Sequence, residues 1–166
     1  MIQKIVSGGQ TGADRAGIDA AIESGVDYGG WLPKDRKAED GIVSPKYTKL
    51  KEMTKGGYSK RTEQNIIDSD GTVIFGHGKL TTGSALTLKF AKQYKKPYLH
   101  IDLDIVQNPV PSIKDWIIDW DIKTLNIAGR KASKATQIYD KVKDIIKQVL
   151  SLICLQAYLD YLPFFI

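Results

Sequence analysis

A glycine-rich stretch near the start of the chain combines residue types that can hold an anion. It reads Ser7-Gly8-Gly9-Gln10-Thr11-Gly12-Ala13-Asp14-Arg15, and it joins the apolar run Ile2–Val6 to a helical run, Ala13–Ser24. Glycine lets a ligand approach the backbone closely, and a helix start offers N–H donors and the positive end of a dipole. The spacing fits neither the P-loop nor G-x-G-x-x-G, so a turn that only packs helix on sheet is the alternative interpretation.

Two further turns combine glycine with hydroxyl and cationic side chains. Gly76 leads to Thr81-Thr82-Gly83-Ser84, and Gly129 leads to Arg130-Lys131-Ala132-Ser133. Hydroxyls, backbone N–H groups and an arginine that can bind bidentately suit phosphate or another oxyanion. A plain N-cap explains Ser133 equally well.

Strands and helices must alternate for these turns to meet. Apolar runs predict five strands, at Ile2–Val6, Tyr28–Leu32, Thr72–Phe75, Tyr98–Ile101 and Leu125–Ala128. Helical patterns separate most of them, so we predict one three-layer α/β domain with a mainly parallel sheet. The three glycine turns would then share the carboxyl edge of the sheet, where open α/β sheets bind ligands.

Composition limits the classes of function. The chain has 166 residues and a net charge of +5, which favours anionic ligands and is too small to argue for nucleic acid. Cys154 is the single cysteine and no signal-peptide pattern opens the sequence, so we expect a cytoplasmic protein. No run is long enough to predict a membrane span.

The segment between Pro33 and Gly57 is long, charged and weakly periodic. Loops of this length are usually functional or mobile, so Arg36 and Lys37 are candidates to close over an anion. Its end, Lys46–Met53, is predicted to form a short helix.

Other chemistry-bearing residues are scattered along the chain. Asp14 and Glu63 lie in first helical turns, where a carboxylate needs no function to be favourable. His77 is a candidate ligand contact or base. Two histidines and one cysteine far apart in sequence form no recognisable metal site, so we expect no metal ligands from the protein.

Several stretches, in order, resemble one family. They are the opening glycine stretch through Gly17, then Gly30–Gly41, Arg61–Asn65, Asp68–Thr72 and Leu125–Arg130. This combination resembles the molybdenum carrier family, which includes the molybdenum cofactor carrier protein and belongs to the Rossmann-like SLOG superfamily. The resemblance implies a single Rossmann-like SLOG domain over residues 1–150. It also implies a homo-oligomer and a ligand site for molybdenum cofactor, molybdate or a nucleotide-like phosphate.

The same superfamily includes the Lonely Guy phosphoribohydrolases, whose glycine signature continues to a catalytic glutamate. Here Gly83-Ser84-Ala85-Leu86-Thr87 has no carboxylate, which argues against that activity. The leading hypothesis is therefore a cytoplasmic binding or carrier protein for a small anionic ligand. A nucleotide-processing enzyme using Asp14 or Glu63 and a ligand-free interaction module are the alternatives. The predicted ligand-binding residues are Gly8, Gly9, Gln10, Thr11, Gly12, Asp14, Arg36, Gly76, Thr82, Gly83, Ser84, Gly129, Arg130 and Ser133.

The last sixteen residues, 151–166, are strongly apolar, with Asp160 their only charged side chain. They fall short of the roughly 20 residues that span a bilayer. We expect them to extend the last helix to about Leu162 and to be buried between subunits. Packing within the chain, or a sequence not native to the family, is the alternative.

Overall fold

Alternating strands and helices run along the chain, and a computed structural model describes them over residues 1–80 and 82–161, with Tyr161 described by its backbone alone. Thr81 and residues 162–166, which the sequence analysis included in a site turn and in the C-terminal extension, lie outside the described residues. The strands are β1 (Lys4–Val6), β2 (Asp27–Gly29), β3 (Trp31–Leu32), β4 (Lys37–Ala38), β5 (Gly41–Ile42), β6 (Lys51–Glu52), β7 (Gly71–Gly76), β8 (Tyr98–Asp102) and β9 (Thr124–Gly129). The α-helices are α1 (Ala13–Glu23), α2 (Tyr58–Ile67), α3 (Thr82–Gln93), α4 (Val110–Asp119) and α5 (Ile138–Tyr161), and 3₁₀ turns form at Lys34–Arg36 and Ala132–Lys134.

The main sheet has five parallel strands in the order β2-β1-β9-β7-β8. The central strands β9 and β7 are almost wholly buried, as expected of parallel strands covered on both faces. The chain moves from β1 to one edge of the sheet, later crosses to the other side, and returns to insert β9 between β1 and β7. This architecture confirms the predicted Rossmann-like three-layer fold with a five-stranded parallel sheet.

Helices cover both faces of the sheet. Because β2 and β8 lie on opposite sides of the centre, right-handed crossovers place α1 and α3 on opposite faces. α5 contacts α1 and α4, while α2 contacts α3. Small residues let α1 lie close to β9, since a Cβ at Gly17 would come within 2.6 Å of the Ile127 Cβ. Within the described residues, no helix is long and apolar enough to cross a membrane.

The predicted second strand is in fact two strands that bend at Gly30. Gly30 has φ +127°, and a Cβ there would meet the Ser7 carbonyl oxygen at 2.1 Å, so only glycine allows this path. Beyond the bend, the Asn65 side chain accepts the Trp31 N–H at 2.8 Å and donates to the Trp31 carbonyl at 3.2 Å. A side chain thereby takes the place of a neighbouring strand and holds the chain beside α2.

The long segment after Pro33 contains more regular structure than its sequence predicts. The expected helix over Lys46–Met53 is wrong, because these residues form turns and then β6, which pairs with β3. β4 and β5 form a small antiparallel hairpin. Val43, Tyr47 and Leu50 are buried, and these apolar side chains fix the segment through long-range packing that no local periodicity reveals.

Gly12 brings the turns after β1 and β9 into contact. Its φ is +78°, and a Cβ there would lie 2.5 Å from the Arg130 carbonyl oxygen and 2.8 Å from the Ala132 nitrogen. The Ala13 N–H donates to that same Arg130 carbonyl at 3.2 Å. Two of the three predicted turns therefore touch through backbone atoms.

Replacing Gly12 by alanine should destabilise the fold more than the same change at Gly25. Gly25 has φ +68° and an open Cβ position, so Gly25→Ala carries the left-handed backbone penalty alone, about 1–2 kcal/mol. Gly12→Ala adds the clash with the Arg130 carbonyl. Urea unfolding of both variants measures the difference, and equal losses would mean that the two turns separate easily.

Candidate functional site

A pocket of about 630 Å³ opens at the carboxyl edge of the sheet. It lies beside the switch in strand order between β1, β9 and β7, where open α/β sheets place their ligands. Seven of the residues predicted from the sequence line it: Gln10, Asp14, Thr82, Gly83, Ser84, Gly129 and Arg130. The structure therefore brings all three glycine turns to one cavity.

The pocket wall contains a buried ion pair between Asp14 and Arg61. The Arg61 Nη1 lies 3.2 Å from the Asp14 Oδ2, and the two side chains are 11% and 6% exposed. Burial raises the pKa of Asp14 above its ordinary value, and the neighbouring Arg61 charge opposes that rise. A buried charge of either sign would be costly without its partner.

Gly8 makes room for the Arg61 side chain. A Cβ on Gly8 would fall 1.6 Å from the Arg61 Nη1, so the guanidinium lies directly against the Gly8 backbone. The Arg61 Nε is buried and has no hydrogen-bond partner among the described residues. An unpaired buried donor costs about 1–3 kcal/mol.

The start of α3 forms a second wall. Gly83 faces open space, with no atom within 4 Å of a Cβ built on it. The first N–H groups of a helix lack intrahelical partners and favour a bound anion. Arg130 lies beside this helix start, and its guanidinium donates to the His77 carbonyl at 2.6 Å. Arg130 therefore connects the turn after β9 to the turn after β7.

Glu39 reaches the pocket edge from the β4–β5 hairpin. Its carboxylate accepts hydrogen bonds from the Thr11 hydroxyl, from the Ser133 hydroxyl and from the Ser133 N–H, the last at 3.0 Å. The Lys131 Nζ lies 3.0 Å away. Desolvation by burial opposes ionisation, yet the hydrogen bonds from Ser133 and Thr11 lower the pKa of Glu39 to about 2. Glu39 is thus an ionised carboxylate at the donors predicted for a ligand.

Two further contacts fix the hairpin on the first glycine turn. The Gln10 side-chain oxygen accepts the N–H groups of Thr11 and Glu39, at 3.0 and 2.9 Å. Arg15 binds both carboxylate oxygens of Asp40, one of them at 2.8 Å. The hairpin is consequently held by polar contacts.

The remaining predicted site residues do not line the pocket. Gly8 supports Arg61, Gly12 contacts the turn after β9, and Thr11 and Ser133 bind Glu39. The Gly9 Cβ position faces the Leu32 side chain at 2.5 Å, so Gly9 serves packing. At Gly76 a Cβ would make only ordinary contacts with His100 and Leu80.

Three cationic or basic candidates are occupied elsewhere. Arg36 donates to the Val43 and Ser44 carbonyls, at 3.0 and 3.1 Å, and stays within its own segment instead of closing over the pocket. Lys37 lies 3.6 Å from Asp35. The His77 ring is 2.7 Å from Asp104. Among the described residues, no three metal-ligating side chains lie together.

Sequence reasoning missed several pocket residues, and all of those named below except Lys131 come from outside the glycine turns. Those with evident chemistry are Glu39, Tyr58, Arg61, Thr62, Lys131 and Lys134. The stretches Gly30–Gly41 and Arg61–Asn65, which carry part of the family resemblance, contained the available signal for Glu39, Arg61 and Thr62. Among the described residues, four cationic side chains and two carboxylates line the pocket, an excess of two positive charges.

Comparisons with known proteins agree with the resemblance found in the sequence. Residues 5–150 match the circularly permutated YpsA SLOG family. A crystal structure named "Putative molybdenum carrier protein", from Syntrophus aciditrophicus SB, is 52% identical in sequence with a TM-score of 0.87. That match covers 90% of this chain and 95% of the other. No curated protein matches the chain.

The Glu39 contacts predict a characteristic pH dependence of stability. The pKa of Glu39 falls from an ordinary 4.5 to about 2 in the fold, so its ionised form stabilises the protein fully above pH 4.5. That contribution, up to about 3 kcal/mol, disappears as the pH falls from 4.5 towards 2. Urea unfolding should show Glu39→Gln less stable than wild type at pH 7, with the difference shrinking at pH 3. A difference independent of pH would contradict this assignment.

Proposed function

The chain belongs to the circularly permutated YpsA SLOG family, and we propose that it is a cytoplasmic binding or carrier protein for a phosphate-bearing or oxyanion ligand. The observation that carries the proposal is the pocket at the carboxyl edge of the sheet, whose described lining has more cationic side chains than carboxylates. Arginine binds oxyanions through strong charge-assisted hydrogen bonds. A ligand oxyanion in this pocket would meet the positive charges of Arg61 and Arg130.

The size and lining of the pocket favour an organic phosphate over a free oxyanion. Its volume of about 630 Å³ falls among those of small-molecule sites, which are roughly 300–1,000 Å³. The α3 start and Arg130 suit the phosphate, while Tyr58 and Leu86 offer an aromatic and an apolar surface for a ring. A nucleotide or a pterin phosphate has both parts.

The name of the similar Syntrophus protein makes molybdenum the first cargo to test. Molybdenum cofactor is a pterin phosphate that brings its own metal, so the carrier needs no metal-ligating side chains. Molybdate would use the anion-binding part of the pocket alone. Either ligand therefore fits the same cationic wall.

A second candidate function is nucleotide processing, and the position of Asp14 favours it. A buried carboxyl with a raised pKa in a cleft is typical of acid–base groups. Glu63, the other carboxylate considered, lies outside the pocket and binds Lys60 and Tyr94. The absence of a carboxylate between Gly83 and Thr87 favours binding without catalysis. Measuring the release of free base from nucleoside monophosphates distinguishes the two functions.

We also propose that the C-terminal half of α5 pairs with another copy of the chain. Leu152, Leu155, Tyr158 and Leu159 are 41–64% exposed, whereas Ile153 packs in the core. Exposed apolar side chains that recur on one helix face commonly mark an interaction surface. The homo-oligomer implied by the family resemblance would bury them.

Calorimetric titration should detect binding of at least one of inorganic phosphate, molybdate, a nucleoside monophosphate or a pterin phosphate. Arg130→Ala should weaken it by roughly 10- to 150-fold, because a charge-assisted hydrogen bond is lost. Gly83→Val should weaken it by at least about tenfold, because the new side chain enters the pocket at the helix start.

Ala85→Val is the matched control, since it adds a similar side chain on α3 outside the pocket. Melting temperatures of all variants separate lost contacts from a damaged fold, which matters because Arg130 also holds the His77 carbonyl. Failure of all four ligands to bind wild type at millimolar concentration would overturn the proposal.

Leu155→Glu should shift the protein to smaller species in light scattering, because a charge cannot be buried in an apolar contact between subunits. Gln156→Glu places the same charge on the adjacent exposed residue and should leave the mass unchanged. An unchanged mass for folded Leu155→Glu would remove this part of α5 from any interface.

A further inference from the structure

The Glu39 carboxylate accepts hydrogen bonds from a set of donors that could equally bind an oxyanion. The Thr11 hydroxyl, the Ser133 N–H and hydroxyl, and the Lys131 ammonium all converge on its carboxylate. These donors come from two turns about 120 residues apart in sequence, and Thr11 also accepts the Ala132 N–H at 3.1 Å. The chain has thus placed one of its own anions at the edge of the pocket.

Apolar packing holds the base of the hairpin that carries Glu39, not its tip. Pro33 and Val43, which flank the hairpin, are buried, and Ala38 packs partly against the core, whereas Ile42 is 65% exposed. Glu39 and Asp40 supply the charged contacts to the body of the protein, through Ser133 and Arg15. Such contacts weaken when a competing anion takes the same donors.

We infer that Glu39 is an autoinhibitory contact, a resident carboxylate that a phosphate or molybdate group of the ligand displaces, releasing the β4–β5 hairpin from the pocket edge. The inference rests on the proposed function, because it concerns regulation of the same site. A tetrahedral dianion carries more charge and more acceptor oxygens than one carboxylate, so it can replace Glu39 at these donors. The hairpin closes the empty site and opens when the ligand arrives.

This arrangement lowers the apparent affinity of the wild-type protein. When the binding-competent state is a minor one, the apparent dissociation constant rises in proportion. Removing the Glu39 charge should therefore tighten binding of inorganic phosphate, molybdate and AMP, each titrated separately, by at least about tenfold. If the variant binds only AMP more tightly, a phosphate ester is the group that displaces Glu39. If it binds all three ligands more tightly, a free oxyanion is sufficient to displace Glu39.

The variants are Glu39→Gln and, should that protein fold poorly, Glu39→Asp, which keeps the charge but shortens its reach. Asp35→Asn is the control, because it removes one negative charge from the same segment without touching the donors to Glu39. Asp35 has φ +63°, a conformation that asparagine tolerates, and its side chain forms an ion pair with the exposed Lys37. Asp35→Asn should bind inorganic phosphate, molybdate and AMP with the same affinities as wild type.

Limited trypsin digestion reports hairpin release directly, because Arg36 and Lys37 begin this segment. Saturating molybdate should accelerate cleavage of wild type there, and Glu39→Gln should be cleaved rapidly without it. Protection of wild type by molybdate would overturn the inference even if Glu39→Gln bound more tightly, since charge removal alone would then explain the gain. Equal affinities of wild type and Glu39→Gln would overturn it and leave the proposed function intact, whereas no binding by either would overturn both.

Discussion

The burial of Asp14 and Arg61 beside one another is the interaction on which the site depends. Separating the two would leave a buried charge without its partner, which is costly, so the start of α1 and the start of α2 stay together. The two helices are far apart in the sequence. The guanidinium fits between them because Gly8 has no side chain, and a Cβ at that position would overlap the Arg61 Nη1. The pair therefore fixes the pocket wall, and the buried Arg61 Nε has no hydrogen-bond partner among the described residues.

Around this pair the protein offsets part of the pocket's positive charge with its own carboxylates. Asp14 neutralises Arg61 from within, and Glu39 neutralises Lys131 from the hairpin. Such balance keeps a cationic cavity stable before a ligand binds. The two carboxylates differ in kind, because Asp14 is enclosed by the fold whereas Glu39 is held by polar contacts at the tip of a hairpin. A ligand can compete with the second more readily than with the first.

The fold class could be predicted from the sequence because the patterns that specify its strands, turns and helices are local. Apolar strands, glycine turns and the helical spacing of α5 each specify an element without reference to distant residues. The helix prediction for Lys46–Met53 was wrong because Tyr47 and Leu50, three residues apart as on one helix face, are buried by long-range packing instead. The prediction for Arg36 was wrong for a local reason. Its loop position suggested an anion contact, yet nearby carbonyls of its own segment satisfied the guanidinium first.

The sequence by itself determined that three glycine turns would share the carboxyl edge of a parallel sheet, since strand–turn–helix order fixes that geometry. It also identified Asp14, Gly83 and Arg130 as residues of that edge. Only the tertiary structure decided that Arg61 joins them and that Glu39 covers the donors of Thr11 and Ser133. Both residues arrive from segments whose paths depend on Gly30, Asn65 and buried side chains far away in sequence. Contacts of that kind are set by packing in three dimensions, which residue spacing along the chain does not encode.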